Sequence, residues 1–203
     1  DPSRLDSPLT YKGVVYNEMI GSMSSPTSRL WQSITTHLFP DTTYRFNSGG
    51  EPRDIPNLRH ADLLAFHKEH YHPSNAMFFT FGDLDPKVIQ AQIEDQVLKH
   101  FQATDVSHIR VNDQPRFIAP IAVEQAYHHE QEKAQTHIVL NWLLGHSFDV
   151  DAFLSQSLLA DVLLADSSCP LYHALEQSPL AKSPSSLCGL DNNLRQMIFS
   201  CGV

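Results

Sequence analysis

The sequence predicts an α+β fold in which antiparallel strands are covered by helices. Helical and strand-like patterns are interspersed in the order helix, loop, helix, strand, helix, linker, strand, strand, helix, helix, strand. The 203 residues have 41% hydrophobic content, enough for one large domain or two modest ones. No apolar run approaches the roughly 18 to 20 residues that a membrane-spanning helix requires.

The first half contains three predicted helices, over residues 26–39, 59–71 and 86–101. The first shows apolar residues at helical spacing and a proline after two serines at its start. The segment 41–56 is rich in Asp, Thr, Asn, Gly and Pro, which indicates a long surface loop. Residues 76–81, with sequence AMFFTF, have the length and aromatic content of a buried strand.

The second half begins after a polar, proline-containing stretch at about residues 103–120, which we interpret as a linker. Strands are predicted at 121–130, 136–144 and 194–201, and a short helix at 170–177. A longer amphipathic helix is predicted at 150–165, with its apolar side formed by Phe153, Leu154, Leu158, Leu159, Val162 and Leu163.

Charge and cysteine content narrow the classes of partner. Fourteen basic against 23 acidic residues give a net charge of −9, which disfavours binding to nucleic acid. The N-terminus lacks the basic and apolar regions of a signal peptide. Three widely spaced cysteines, Cys169, Cys188 and Cys201, are typical of reduced, partly buried thiols. We expect a soluble protein of a reducing compartment, the cytoplasm or an organelle matrix, without a membrane partner.

Two histidine clusters invite a search for a metal site. In His67-Lys68-Glu69-His70 the spacing is one residue short of the inverted zinc motif His-x-x-Glu-His. His67 and His70 could still chelate a metal from one helix face, but a structural role at a helix end is favoured. The second cluster, His128-His129-Glu130, falls on a predicted strand, where adjacent side chains point to opposite faces. No nucleophile elbow, phosphate-binding loop or dinucleotide motif occurs.

Several segments, in order along the chain, resemble the insulinase/pitrilysin family of zinc metallopeptidases, in its presequence-protease-like branch. The resemblance begins with the segment KGVVYNEMIG at residues 12–21, which contains Glu18. It continues through SSP at 24–26, LFPDTTY at 38–44, SGGEP at 48–52, HKEHYHPSN at 67–75 and GDLDP at 82–86. In the second half, WLLG at 142–145 and the run 169–180 resemble the start of a second, non-catalytic repeat.

The resemblance implies that Glu18 is the third zinc ligand of the family's site. A site of two histidines and one glutamate leaves the fourth position open for a water that the metal acidifies. It also implies two partial repeats of the insulinase/mitochondrial-processing-peptidase-like metallohydrolase fold. Residues 1–105 would be the C-terminal half of the catalytic repeat, 106–120 a linker, and 121–203 the N-terminal part of the second repeat.

The chain departs from the family because His-x-x-Glu-His is absent from its 203 residues. We therefore expect a fragment of a zinc metalloendopeptidase that degrades unstructured peptides, with no catalytic residue of its own and no tightly bound zinc. The sequence identifies no substrate-binding residue. The alternative is a non-catalytic binding or assembly subunit of the same fold. Half-domains should expose apolar surface, so self-association of the fragment is also expected.

Overall fold

The computed structural model describes residues 9–128 and 135–203. Contacts divide the chain into two compact units, one of Asp1–Pro56 with Val111–Val203 and the other of Asn57–Arg110. No helix of the described ranges is long and apolar enough to cross a membrane. The α+β class is confirmed, and the division into two partial repeats stays a prediction.

A three-stranded antiparallel sheet forms the centre of the first unit. The strands are β1 (Val139–His146), β2 (Gly189–Asp191) and β3 (Gln196–Gly202), in the order β1-β3-β2. The pairing of β1 with β3 is irregular between Leu143 and His146. Because β3 is the middle strand, it contains the fully buried Met197 and Ile198.

Four helices belong to the same unit: α1 (Val14–Ser22), α2 (Pro26–Leu38), α5 (Val150–Leu164) and α6 (Pro170–Glu176). Local sequence explains where three of them begin. Ser25 Oγ accepts the Ser28 amide before α2, and proline occupies the first turn of both α2 and α6. Asp149 Oδ1 accepts the Ala152 amide at the start of α5.

A pair of buried glutamines fastens the segment after residue 110 to the sheet. The backbone N–H of Gln114 donates to Gln196 Oε1 at 2.6 Å, and Gln196 Nε2 donates to the backbone carbonyl oxygen of Gln114 at 3.1 Å. The Gln114 side chain is paired as well. Its Nε2 donates to Asp41 Oδ2, and its Oε1 accepts a hydrogen bond from the backbone N–H of Asp41. Three distant parts of the chain are thereby joined by two side-chain amides.

The neighbouring Asp113 makes a charged cluster at the exposed edge of this connection. Its carboxylate lies 2.8 Å from His146 Nε2 and 2.6 Å from Arg195 Nε. These hydrogen bonds, with that of His146 foremost, lower the pKa of Asp113 from its ordinary value. The stabilisation is therefore present at neutral pH, above the unfolded-state pKa of Asp113, and is lost as the pH falls through the lowered folded-state pKa.

The second unit contains helices α3 (His60–His70) and α4 (Pro86–Gln96). Asp85 Oδ1 accepts the Lys87 amide and Pro86 follows it, which sets the start of α4. None of the residues from 57 to 110 is buried, even though many are large and apolar. This unit therefore lacks the enclosed core that normally stabilises a segment of its length.

Most predicted helices agree with the structure to within a few residues, but two predicted strands do not. Residues 76–81 form no strand, because no other described segment pairs with them. The described part of the predicted strand 121–130, up to residue 128, is also irregular, and residues 129 and 130 lie outside the described ranges. Two observed elements, α1 and β2, are absent from the predicted order.

The predicted apolar side of α5 is only partly correct. Phe153 and Leu163 are half-buried, whereas the other four predicted residues are more than half exposed: Leu154, Leu158, Leu159 and Val162. Ala160 is the buried residue of this helix. The helix is apolar on more than one face, so the sequence pattern alone could not select the face that meets the sheet.

Gly50 provides the first test of local structure. Its φ of +94° is in the region that side chains rarely adopt, so we expect Gly50→Ala to lower the free energy of unfolding by about 1–3 kcal/mol. Gly21, in α1, has open space around its Cα, and Gly21→Ala should raise stability by about 0.5–1 kcal/mol. Urea unfolding measures both. Equal stability of Gly50→Ala and the unaltered chain would contradict the backbone argument.

The glutamine pair provides the second test. Gln196→Ala removes the partners of both Gln114 peptide groups, so it should lower the free energy of unfolding by about 1–3 kcal/mol. Gln125 is exposed, and Gln125→Ala should change that free energy by less than about 0.5 kcal/mol. If the two variants unfolded at the same urea concentration, the buried pair would not be a significant source of stability.

Candidate metal-ligand helix

Helix α1 positions Glu18, the one residue that the sequence assigns as a metal ligand. Glu18 is the fifth residue of the helix and is exposed to solvent. It forms no hydrogen bond or ion pair with another described residue. Its carboxylate is therefore available for coordination, and nothing in the described ranges fixes its orientation.

The two faces of α1 have different surroundings. Tyr16, Met19 and Met23 are half-buried, whereas Glu18 shares the opposite side with exposed valines. Gly49, in the loop 41–56, lies beside the half-buried side of α1. A Cβ placed on Gly49 would come within 2.2 Å of Met19 Sδ, so only glycine fits without moving that side chain. The loop thus supports the residue that directly follows Glu18, a contact that no sequence spacing signals.

The histidines at the end of α3 make structural contacts. The His70 ring stacks on Phe66 with centroids 3.9 Å apart, and the His67 ring stacks on Tyr71 at 4.7 Å. His70 Nδ1 also lies 3.1 Å from the Phe66 carbonyl oxygen. These contacts agree with the structural role that the sequence favours for the pair.

Glu69 lies between these histidines, with its Oε2 3.9 Å from His70 Nδ1, and makes a closer contact with a third histidine. Its Oε1 is 3.0 Å from His108 Nε2, which ties the end of α3 to the segment before residue 110. In the second cluster, His128 is described and exposed, while His129 and Glu130 lie outside the described ranges. Residues 9–128 and 135–203 contain no group of three or more His, Cys, Asp or Glu that could hold a metal ion.

The described residues therefore do not form a complete zinc site. A catalytic zinc has three protein ligands, and no group of three potential ligands occurs around Glu18 or elsewhere among the described residues. What the arrangement offers chemically is a single exposed carboxylate on a helix, and one carboxylate by itself would bind zinc only weakly.

Within residues 9–128 and 135–203, the other reactive groups do not come together in a second candidate site. A cavity of about 360 Å³ lies between α5 and β2, with Asp161 and Cys188 in its lining. Cys201 is buried, and burial raises the pKa of its thiol, so it is held in the neutral, unreactive form. All three cysteines are free thiols, as the sequence predicts.

Comparison with known protein families gives one match. The family described as "Peptidase M16 inactive domain" matches residues 57–203, nearly three quarters of the chain. The match begins at the first residue of the second compact unit. Glu18 and helix α1 precede it.

Curated relatives cover the whole chain, including α1. The mitochondrial presequence protease of Danio rerio is 36% identical over 207 residues, which cover 100% of this chain and 20% of the relative. Protein HypA of Clostridium perfringens is 33% identical, covering 95% of the chain and 20% of the relative. The chloroplastic/mitochondrial presequence protease 1 of Arabidopsis thaliana is 33% identical, covering 100% and 19%.

The chain therefore spans about a fifth of the length of the relatives it matches. The resemblance carried by the segments around Glu18, Gly49 and His67 is confirmed at the level of the family. On the family match and on these full-length alignments of the chain, the protein belongs to the M16, or insulinase, family of peptidases and is similar to its presequence proteases.

Proposed function

We propose that this chain is a portion of a zinc-dependent metalloendopeptidase that degrades unstructured peptides. The observation that carries the proposal is the alignment of the entire chain, at 36% identity, with a protein named presequence protease. Presequences are peptides, so a peptide substrate is the simplest inference for a protein that shares this region. The short coverage of the relatives makes the activity a property of a longer polypeptide.

In this proposal Glu18 is one zinc ligand, and the two histidines come from a part of the polypeptide outside these 203 residues. Three features support the role of Glu18. Its position on a short helix is exposed, its carboxylate has no competing partner among the described residues, and its neighbour Met19 lies close against Gly49. A ligand must be both accessible and supported by its surroundings to hold a metal in fixed geometry.

The fragment by itself is proposed to be inactive. The chain has no His-x-x-Glu-His motif, so it lacks both the paired imidazoles and the carboxylate that would act on a bound water. In the same proposal, residues 1–105 complete a catalytic repeat, 106–120 link, and 121–203 begin a second repeat.

A non-catalytic binding or assembly subunit is the second candidate. The family description "inactive domain" for residues 57–203 favours it, because that range is most of the chain. Glu18 favours the enzyme, since a subunit without catalysis has no need of a zinc ligand. The sequence of the full-length polypeptide distinguishes the two candidates. An enzyme has His-x-x-Glu-His elsewhere in its polypeptide, whereas a binding subunit does not.

The names of the relatives bear on the compartment. Presequence proteases of animals and plants are named mitochondrial or chloroplastic, which supports an organelle matrix for this chain. Protein HypA belongs to a bacterium, so the family also occurs without organelles. The three free thiols of this chain agree with a reducing compartment, which we propose here.

The zinc content of the isolated chain tests the proposed division of ligands. A single carboxylate cannot hold zinc against dialysis, so metal analysis of the dialysed 203-residue chain should find far less than one zinc per molecule. Peptidase assays with a flexible peptide should show no cleavage above a zinc-only control. One retained zinc per chain would overturn this prediction and direct attention to His67 and His70.

Substitution of Glu18 in the full-length polypeptide tests its role as a ligand. Glu18→Gln keeps the size of the side chain but removes its charge, so we expect loss of zinc by metal analysis and at least about a hundredfold loss of peptide turnover. Glu124 is also exposed in the same compact unit, and Glu124→Gln should retain both zinc and turnover. If Glu18→Gln kept its zinc and full activity, Glu18 would not be a ligand.

A further inference from the structure

Helix α1 depends on contacts with the rest of the chain to hold its position. It has nine residues, fewer than the roughly 12–15 that an isolated helix needs to be stable in water. Gly13, the residue before it, has no side chain that could accept a hydrogen bond from the first amides. None of the nine residues, which all lie in the described range, is buried. The few contacts of its half-buried side therefore decide where the helix lies.

This half-buried side meets the loop tip formed by residues 47–50. Met19, in α1, and Met23, directly after the helix, are four residues apart, so both project from the same side. A Cβ built on Gly49 would be 2.8 Å from Met19 Cε and nearer still to Sδ. Asn47 Nδ2 lies 3.8 Å from Met23 Sδ. The loop tip thus contacts the helix at two points that are one turn apart.

The loop tip is held in shape by its own hydrogen bonds. Asn47 Oδ1 accepts a hydrogen bond from the backbone N–H of Gly49 at 2.9 Å. The backbone carbonyl oxygen of Asn47 accepts a second one from the N–H of Gly50 at 3.0 Å. A side chain that bonds to the backbone two residues further on forms the tight turn for which Asn is favoured. The backbone beside Met19 is therefore fixed by the turn itself.

The two glycines of the loop tip are glycine for different reasons. Gly50 has a φ of +94°, a conformation that other residues rarely adopt. Gly49 is outside the positive-φ region, so its backbone conformation would accept a side chain. What leaves no room for a side chain at Gly49 is the thioether of Met19. Glycine at position 49 therefore serves the contact with α1, and glycine at position 50 serves the turn.

Met19 links this contact to the backbone of Glu18. The two residues are adjacent in α1 but project from different sides, so Met19 lies against the loop while Glu18 is exposed. The Met19 side chain is flexible, and an alanine at position 49 would displace it at little cost to the stability of the fold. Because α1 has few other contacts, the displacement would act on the position of the helix.

We propose that Gly49 is a positioning residue for Glu18. The loop tip 47–50 holds Met19 and Met23, and thereby fixes the place from which α1 presents the Glu18 carboxylate. This inference rests on the proposed function of Glu18 as one zinc ligand. Gly49 acts through Met19 and is not a ligand itself. Loss of such outer support typically weakens metal binding by about 10–100-fold.

Gly49→Ala tests the support of α1 in the 203-residue chain, without any metal. Its Cβ displaces Met19, so the amides of α1 should exchange with solvent at least about threefold faster, as hydrogen exchange followed by NMR measures. Gly145→Ala is the matched control, because Gly145 has open space around its Cα and no positive φ. It should leave the exchange of α1 unchanged. Both variants should unfold at the same urea concentration as the unaltered chain.

Removal of the Met19 side chain shows whether Gly49 acts through it. Met19→Ala by itself withdraws the thioether from the loop tip and should also speed the exchange of α1. In that background, Gly49→Ala has no thioether to displace, so it should change the exchange rates by less than about 1.5-fold. If Gly49→Ala had the same effect with and without the Met19 side chain, or no effect on α1, the proposal would be overturned.

Zinc affinity of the full-length polypeptide connects the support to the ligand. Competition with a chelator should show about tenfold weaker zinc binding for Gly49→Ala, and unchanged binding for Gly145→Ala. If Glu18→Gln lost zinc while Gly49→Ala kept full affinity, the ligand role would stand and the positioning role would be overturned. If Glu18→Gln itself retained zinc, the proposed function of Glu18 would fail, and the positioning role with it.

Discussion

The reciprocal hydrogen bonds between Gln114 and Gln196 are the constraint on which the first compact unit depends. They join the segment after residue 110 to the central strand β3, and through Asp41 they also reach the loop after α2. Each amide is buried, so a missing partner would leave a desolvated polar group uncompensated. This unit is discontinuous in sequence, and the hydrogen bonds between Gln114 and Asp41 connect its two parts directly.

The charged cluster around Asp113 reinforces the same junction from its exposed side. His146 at the end of β1 and Arg195 before β3 both contact its carboxylate, so the ends of two neighbouring strands are held together. The backbone N–H of Arg195 also donates to the Tyr44 hydroxyl, so this hydrogen bond connects the loop after α2 to the same cluster. Buried amides supply specificity here, and exposed charges add a smaller, pH-dependent stabilisation.

The candidate metal ligand Glu18 and the segment 76–81 both lack partners among the described residues. Glu18 is a proposed zinc ligand, and no complete metal-binding group occurs among the described residues, while the peptide groups of residues 77–81 make no hydrogen bond with another described residue. The M16 relatives are about five times longer than this chain, so groups that would complete both features can lie in the additional sequence.

Local sequence determined the helices, because their signals are local: Ser25 and Pro26 start α2, Asp85 and Pro86 start α4, and Asp149 starts α5. The motif around Glu18 likewise identified the family from the sequence. Only the tertiary structure decided which segments became strands, because a strand exists when another segment supplies its hydrogen bonds. Residues 196–202 pair with two neighbouring strands. Residues 76–81 have a composition that favours a strand equally well, but they pair with no other described segment. The glutamine pairing spans 82 residues, a separation that no local pattern encodes.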